Sequence, residues 1–212
     1  MERTYIIDAK KLFRSCFFGP DEIKDFFLKF HLEPLVDNHI DIPFSLSELD
    51  KLKDDYLLIL GFKEFKNHSK FNILTLRNLF GIDPQKFEPC FYNQDWYLNE
   101  TFVSDTLEPK WYLIQKEVIQ SSRSMDPKNI VSELGINLPS ALICAFAFFL
   151  NYSINNSKLW EFDFVWCSDL DHNGDRIYVG KYSDVSGINK NGFSIHRHLS
   201  LRDFYGAINE VN

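Results

Sequence analysis

The 212-residue sequence predicts an α+β protein, with a mainly helical N-terminal part (residues 1–88) followed by an α+β part (residues 89–212). Two observations support this prediction. In the first part, apolar residues recur at the three- and four-residue spacing of helices. In residues 162–199, apolar and polar residues alternate, and the pairs Asn173-Gly174 and Asn191-Gly192 are strong hairpin signals. The chain is therefore expected to end in a small antiparallel β-meander.

The N-terminal part contains three segments with helix signals. Pro20 opens the first, whose apolar residues recur at helical spacing through Phe30. The second begins at Ser45, which forms a capping box with Glu48. The third covers residues 72–80, and Gly81 is expected to end it. Residues 56–60 are short and apolar, so they fit either a strand or a helix end.

The prolines of residues 84–109 mark the expected boundary between the two parts. Residues 111–118 alternate loosely and predict a strand. A short helix is expected from Asp126-Pro127 to Gly135. A second helix is expected from Leu138-Pro139-Ser140 to about Tyr152, and it is apolar nearly all round, which predicts that it is buried.

Composition narrows the class of protein. The chain is 45% hydrophobic and 25% charged, which is typical of a globular protein, and its 16% aromatic residues predict a bulky core. The alternative is a partly exposed aromatic surface that binds a partner. A net charge of −7 disfavours non-specific binding to a phosphate backbone, although a local basic face remains compatible with it.

The start of the sequence shows no secretory signal, and the longest apolar run, residues 141–150, is about half of the roughly 20 residues that a membrane span needs. We therefore expect a cytoplasmic protein with no membrane partner. The four cysteines are far apart in sequence and include no C-x-x-C pair, so reduced thiols are expected rather than disulfides.

One acidic cluster resembles half of a calcium loop. Four residues alternate as D-x-D-x-N-G-D, the pattern that wraps a hard cation, whereas the twelfth position, normally a Glu, is Gly180. The alternative is a polar hairpin tip rich in turn-forming residues. The candidate metal ligands, for calcium or another divalent cation, are Asp169, Asp171, Asn173 and Asp175.

Basic residues gather near the C-terminus. His196 and His198 are two apart on a predicted strand, so they share a face, as zinc-binding histidines do. The basic neighbourhood as a whole could bind an anionic ligand, a nucleic acid or an acidic partner surface. The alternative is local pairing with nearby acids. The candidate binding residues are Arg176, Lys190, His196, Arg197, His198 and Arg202.

Three motifs follow one another in an order found in a known family. They are Leu138-Pro139-Ser140, Trp166-Cys167-Ser168 and Gly192-Phe193-Ser194-Ile195. This order resembles the C-type-lectin-like modules of bacterial and phage proteins over roughly residues 109–200. The resemblance implies a binding scaffold that displays loops from a small twisted sheet. The sequence departs from the pattern at Cys167, and no catalytic residue carries over.

No spacing that defines a reaction class is present, because G-x-S-x-G, G-x-x-x-x-G-K, H-E-x-x-H and G-x-G-x-x-G are all missing. The sequence therefore favours a non-enzymatic binding or accessory protein that contacts a protein partner through its C-terminal loops. Two alternatives stay open. One is a metal-dependent hydrolase or nuclease that uses the acidic loop or the histidine pair. The other is a nucleic-acid-binding protein that uses the basic neighbourhood.

Overall fold

A computed structural model describes residues 4–184, 191–197 and 201–211. These residues form six α-helices and two four-stranded sheets, so the α+β class is confirmed. The helices are α1 (Ile6–Phe13), α2 (Pro20–Leu28), α3 (Leu46–Leu52), α4 (Ile73–Phe80), α5 (Pro127–Leu134) and α6 (Ala141–Asn155). The strands are β1 (Phe17–Phe18), β2 (Tyr56–Leu60), β3 (Trp111–Gln115), β4 (Phe164–Leu170), β5 (Arg176–Gly180), β6 (Ser194–His196), β7 (Tyr205–Gly206) and β8 (Glu210–Val211).

Several helices begin and end where their capping residues predict. In α4 the Asn72 side chain accepts a hydrogen bond from the N–H of Thr75, and Gly81 follows the last turn with a φ of 63°. In α5 Asp126 caps the start, and Gly135 ends the helix in the left-handed region. These local signals account for the agreement between the predicted and observed boundaries.

The first sheet has the strand order β1-β2-β3-β8, with β1 parallel to β2 and the other pairs antiparallel. Tyr56–Leu60, which the sequence left undecided between strand and helix, is thus a strand. The sheet takes β2 from the first predicted part of the chain and β3 and β8 from the second. The division near residue 88 stays a prediction.

The second sheet has the order β6-β5-β4-β7. Its consecutive strands β4, β5 and β6 pair in antiparallel fashion, which confirms the predicted meander. The short strand β7 runs parallel to β4 and adds a neighbour that the alternation pattern does not predict. Both faces of this sheet are covered, because alternate residues of β4 and β5 enter different hydrophobic clusters.

Helix α6 lies in the main core and is buried from Ala141 to Asn151, as its apolar pattern predicts. The Ser140 hydroxyl accepts a hydrogen bond from the N–H of Ile143 and caps the helix. Phe146 projects from α6 into a group of packed rings, which explains where much of the phenylalanine excess lies. The rings that it contacts are Phe26, Phe27, Phe62 and Phe71.

The other face of the second sheet carries a smaller aromatic cluster. Phe164 and Trp166 of β4 pack there with Tyr178 of β5 and Tyr205 of β7, and Ile130 of α5 covers them. In the described part of the chain, no helix combines the length and apolar character that crossing a bilayer requires.

Candidate functional site

The acidic loop between β4 and β5 forms a tight turn organised by Asp171. Its Oδ1 accepts hydrogen bonds from the backbone N–H groups of Asn173 and Asp175, at 2.8 and 2.9 Å. The N–H of Gly174 donates to the Asp171 carbonyl, and Gly174 has a φ of 83°, which explains why glycine suits this corner. The Asn-Gly pair therefore lies at the hairpin turn, as predicted.

Arg197 links this turn to a distant segment of the chain. One of its nitrogens lies 2.7 Å from Asp171 Oδ2 and 3.0 Å from Glu100 Oε1. The guanidinium also lies over the Trp96 ring, 4.5 Å from its centroid. His172 completes the group, because its backbone N–H donates to Glu100 Oε2. We call these five residues the Arg197 cluster.

Two buried carboxylates give the Arg197 cluster its electrostatic character. The side chains of Glu100 and Asp171 are only 6% and 0% exposed. Burial raises the pKa of Asp171, but the N–H of Asp175, the Arg197 guanidinium and the N–H of Asn173 outweigh it and hold the pKa below its usual value. The carboxylate of Asp171 is therefore charged and fully engaged within the protein.

The candidate calcium ligands do different work in this fold. Asp169 Oδ2 accepts a hydrogen bond at 2.6 Å from the N–H of Ala141, at the start of α6. Burial raises the pKa of the Asp169 carboxyl, and the Ala141 N–H acts against that rise. Asp169 thus holds the helix, whereas Asp171 holds the turn. Binding of calcium by the loop stays a prediction.

A different group of possible ligands lies inside the Arg197 cluster. Glu100, Asp171 and His172 each offer an atom, and these atoms lie within 4.8 Å of one another. The guanidinium of Arg197 contacts both carboxylates of this group, so a positive charge is already present. Arg197 thus offsets the negative charge of these buried acids, and metal binding by this group stays a prediction.

The basic candidates have varied surroundings. Arg176 donates hydrogen bonds to the carbonyls of Cys167 and Ser168, which closes the irregular end of β4. Arg202 is exposed, with its guanidinium 5.9 Å from the Phe204 ring. Lys190 and His198 lie outside the described residues. A shared binding role for the basic set stays a prediction.

A cavity of about 440 Å³, which we call the hairpin cavity, opens between the start of α5 and the β4–β5 hairpin. Trp166 forms part of its wall, and its indole N–H is buried without a hydrogen-bond partner among the residues that the structure describes. Leu170 and Leu201 also line the cavity and are 46% and 43% exposed. The remaining lining residues are Asp126, Pro127, Lys128, Gly174, Asp175 and Arg176.

A second cavity, the His196 cavity, encloses about 200 Å³ at the other end of the same sheet. His196 stacks on Tyr178, and the Gln94 side chain lies within hydrogen-bonding distance of its ring. Burial, together with the nearby Lys181 ammonium, lowers the pKa of His196 to about 4. The imidazole is therefore neutral at physiological pH. The cavity is lined by Tyr92, Phe164, Lys181, Tyr182, Ser183, Asp184, Ser194 and His196.

Three important residues come from the proline-containing segment that the sequence marks as a boundary. The Trp96 indole donates to the carbonyl of Ile195, and the N–H of Ile195 donates to the Gln94 side-chain oxygen. Glu100, from the same segment, enters the Arg197 cluster. None of these residues carries a local sequence signal, because each is defined by a partner about 70 to 100 positions away.

Comparison with protein families, with curated sequences and with solved structures gave no significant match. The resemblance to C-type-lectin-like modules stays a prediction.

Proposed function

We propose that the protein is a non-enzymatic binding protein whose partner inserts an apolar side chain into the hairpin cavity. The exposed leucines Leu170 and Leu201 in the cavity wall carry this proposal, because apolar side chains that line an open concave site can bury an apolar side chain of a partner.

The rim of the hairpin cavity supports a protein partner. Exposed leucines flank it at Leu170 and Leu201, and apolar side chains around a concave site are typical of protein-binding surfaces. Val131 and Leu134 on α5 are also exposed, and helical spacing places them on the same side as Pro127, which lines the cavity. Together these side chains extend the apolar surface beyond the cavity itself.

The charges at the rim are mixed. The rim carries two basic residues, Lys128 and Arg176, and two acidic residues, Asp126 and Asp175. Its described residues therefore show no excess of positive charge. Nucleic-acid surfaces concentrate Lys and Arg, whereas protein interfaces have polar rims around an apolar centre. The rim therefore favours a protein segment over a phosphate backbone.

Site-specific photocrosslinking in the native host tests the proposal. A photoreactive phenylalanine analogue replaces Leu170 in one variant and Leu28, which is 67% exposed on α2, in a matched control. We expect one defined crosslinked protein from position 170 and none of that mass from position 28.

The identified partner is then tested for affinity. Burial of one leucine contributes about 1.5–3 kcal/mol, so we expect Leu201→Asp to weaken binding by roughly 10- to 100-fold. Leu28→Asp should bind as the wild type does. Equal crosslinking from positions 28 and 170, or unchanged affinity of Leu201→Asp, would refute the proposal.

A further inference from the structure

The His196 cavity lies apart from the hairpin cavity and has a different chemical character. Its walls include the aromatic side chains Tyr92, Phe164 and Tyr182. Its polar lining includes the ammonium of Lys181 and the imidazole of His196. Small-ligand sites have this composition, with apolar walls and a few convergent polar groups.

Lys181 lies in the wall of this cavity, and its backbone is held in place. Its backbone adopts a φ of 44°, a left-handed conformation uncommon for a residue with a side chain. Its N–H donates to the carbonyls of Trp160 and Asp163, which fixes that conformation. Its ammonium lies 4.4 Å from the centre of the Phe204 ring and 5.9 Å from that of Phe164. The aromatic faces therefore position the charge without neutralising it.

No carboxylate lies within 4.0 Å of the Lys181 ammonium among the residues that the structure describes. The neighbouring stretches outside that description, residues 185–190 and 198–200, contain no Asp or Glu in the sequence. Local pairing with acids explains Arg197 but does not explain Lys181. Its positive charge remains available to a ligand in a partly dry concave site.

His196 responds to burial and to the charge of Lys181. Gln94, Phe164 and Tyr178 surround its ring, and the charged group that acts on it is Lys181. Arg197, the next residue, directs its guanidinium to Glu100 and Asp171 instead. An anion placed between the ammonium and the imidazole would reverse the local potential and favour a proton on the ring.

We propose that the His196 cavity binds a carboxylate group between Lys181 and His196. The single ammonium of Lys181 balances the single charge of a carboxylate, whereas a phosphate carries more negative charge than one ammonium balances. The buried Ser194 hydroxyl, now donating to the Gly192 carbonyl, lies on the same wall. The aromatic walls favour a ligand with a flat apolar body, so benzoate is a suitable probe.

Nuclear magnetic resonance of the histidine rings tests this site in the full-length chain. Benzoate is titrated at constant ionic strength, with benzamide as its neutral counterpart. We expect benzoate to shift the His196 ring signals saturably and to raise the pKa of His196, whereas benzamide leaves them in place. A short peptide containing one Glu is titrated in parallel. Saturation by benzoate indicates a free acid as ligand, and saturation by the peptide alone indicates an acidic side chain of a partner.

Two variants of Lys181 and one control variant separate binding from folding. Lys181→Met should weaken benzoate binding at least tenfold, and Lys181→Arg should retain most of it. Lys158→Met is the matched control, because the Lys158 ammonium also lies over aromatic rings, 5.5 Å from Tyr152 and 5.2 Å from Tyr182, but it does not line the cavity. His196 signals that shift with neither benzoate nor the Glu peptide would overturn the proposal. Equal binding by Lys181→Met and the wild type would also overturn it.

Discussion

Replacing Arg197 with methionine tests the electrostatic account of the Arg197 cluster. Met keeps much of the side-chain length but removes the guanidinium. The carboxylates of Glu100 and Asp171, 6% and 0% exposed, would each lose their cationic partner. Removing one partner from a buried ion pair destabilises a protein by about 3–5 kcal/mol, since the remaining charge stays buried. We expect Arg197→Met to lower the free energy of unfolding by about that amount.

The assay is urea unfolding followed by circular dichroism, supported by thermal melts. For a chain of this size, each kcal/mol lowers Tm by about 2–4 °C, so the expected decrease is roughly 6–20 °C. Arg202→Met is the control, because Arg202 is exposed and its guanidinium lies near the Phe204 ring. Its effect should stay within about 0.5 kcal/mol. Arg197→Lys should restore only part of the stability, since an ammonium lacks the planar fork.

The same variant should change the response to acid. Because the pKa of Asp171 is lowered in the fold, its ionised form contributes stability above the usual Asp pKa of about 4, and this stability is lost as the pH falls through the lowered value. The stability difference between the wild type and Arg197→Met should therefore shrink in acid. A Met variant as stable as the control at pH 7, or a difference that grows in acid, would refute the reasoning.

Three further predictions concern the second sheet and α6. Because the pKa of His196 is lowered to about 4, the free energy of unfolding of the wild type should fall by up to roughly 3 kcal/mol between about pH 6.5 and pH 4. Urea titrations across that range should show no such contribution in His196→Phe. Asp169→Ala removes the acceptor of the Ala141 N–H and should lower the free energy of unfolding by about 1 kcal/mol in the same assay. Gly180→Ala should lower the free energy of unfolding by about 1–3 kcal/mol, because Gly180 has a φ of 117° and a Cβ there would lie 2.6 Å from the Asp163 carbonyl oxygen. Thermal melts measure this loss, and an unchanged Tm would contradict the described turn.

Much of the secondary structure could be predicted because its signals are local. Asn72 and Gly81 bracket α4, and Asp126 and Gly135 bracket α5, each through bonds between residues a few positions apart. The Asn173-Gly174 corner fixes the β4–β5 hairpin in the same way. These features depend on propensity and capping, which a single sequence displays.

The assembly of the sheets could not be predicted in the same way. Strand β3 joins β2 across about 50 residues, and β7 runs parallel to β4 through only two paired positions. Such pairings depend on the total packing of the core rather than on any short pattern. The first sheet takes strands from both sides of residue 88, and the division of the chain there stays a prediction.

The candidate site illustrates the limit most clearly. The sequence predicts a metal loop at Asp171 and a basic surface at Arg197, and both stay predictions, but it gives no sign that the two residues contact each other. The contacts of Arg197 with Asp171 and with Glu100 depend on a fold that brings residues 100, 171 and 197 together. A charged residue looks the same in sequence whether it binds a partner molecule or neutralises its own protein.

The hydrogen bonds from Trp96 and to Gln94 have a consequence for solubility. A strand at the margin of a sheet normally offers open amides to other chains, and repeated recruitment of this kind builds fibrils. Here two side chains from an irregular segment take up the amide and carbonyl of Ile195 on β6. Another chain could pair with this edge of the sheet only after both side chains had left Ile195. The two hydrogen bonds therefore protect β6 against intermolecular strand pairing.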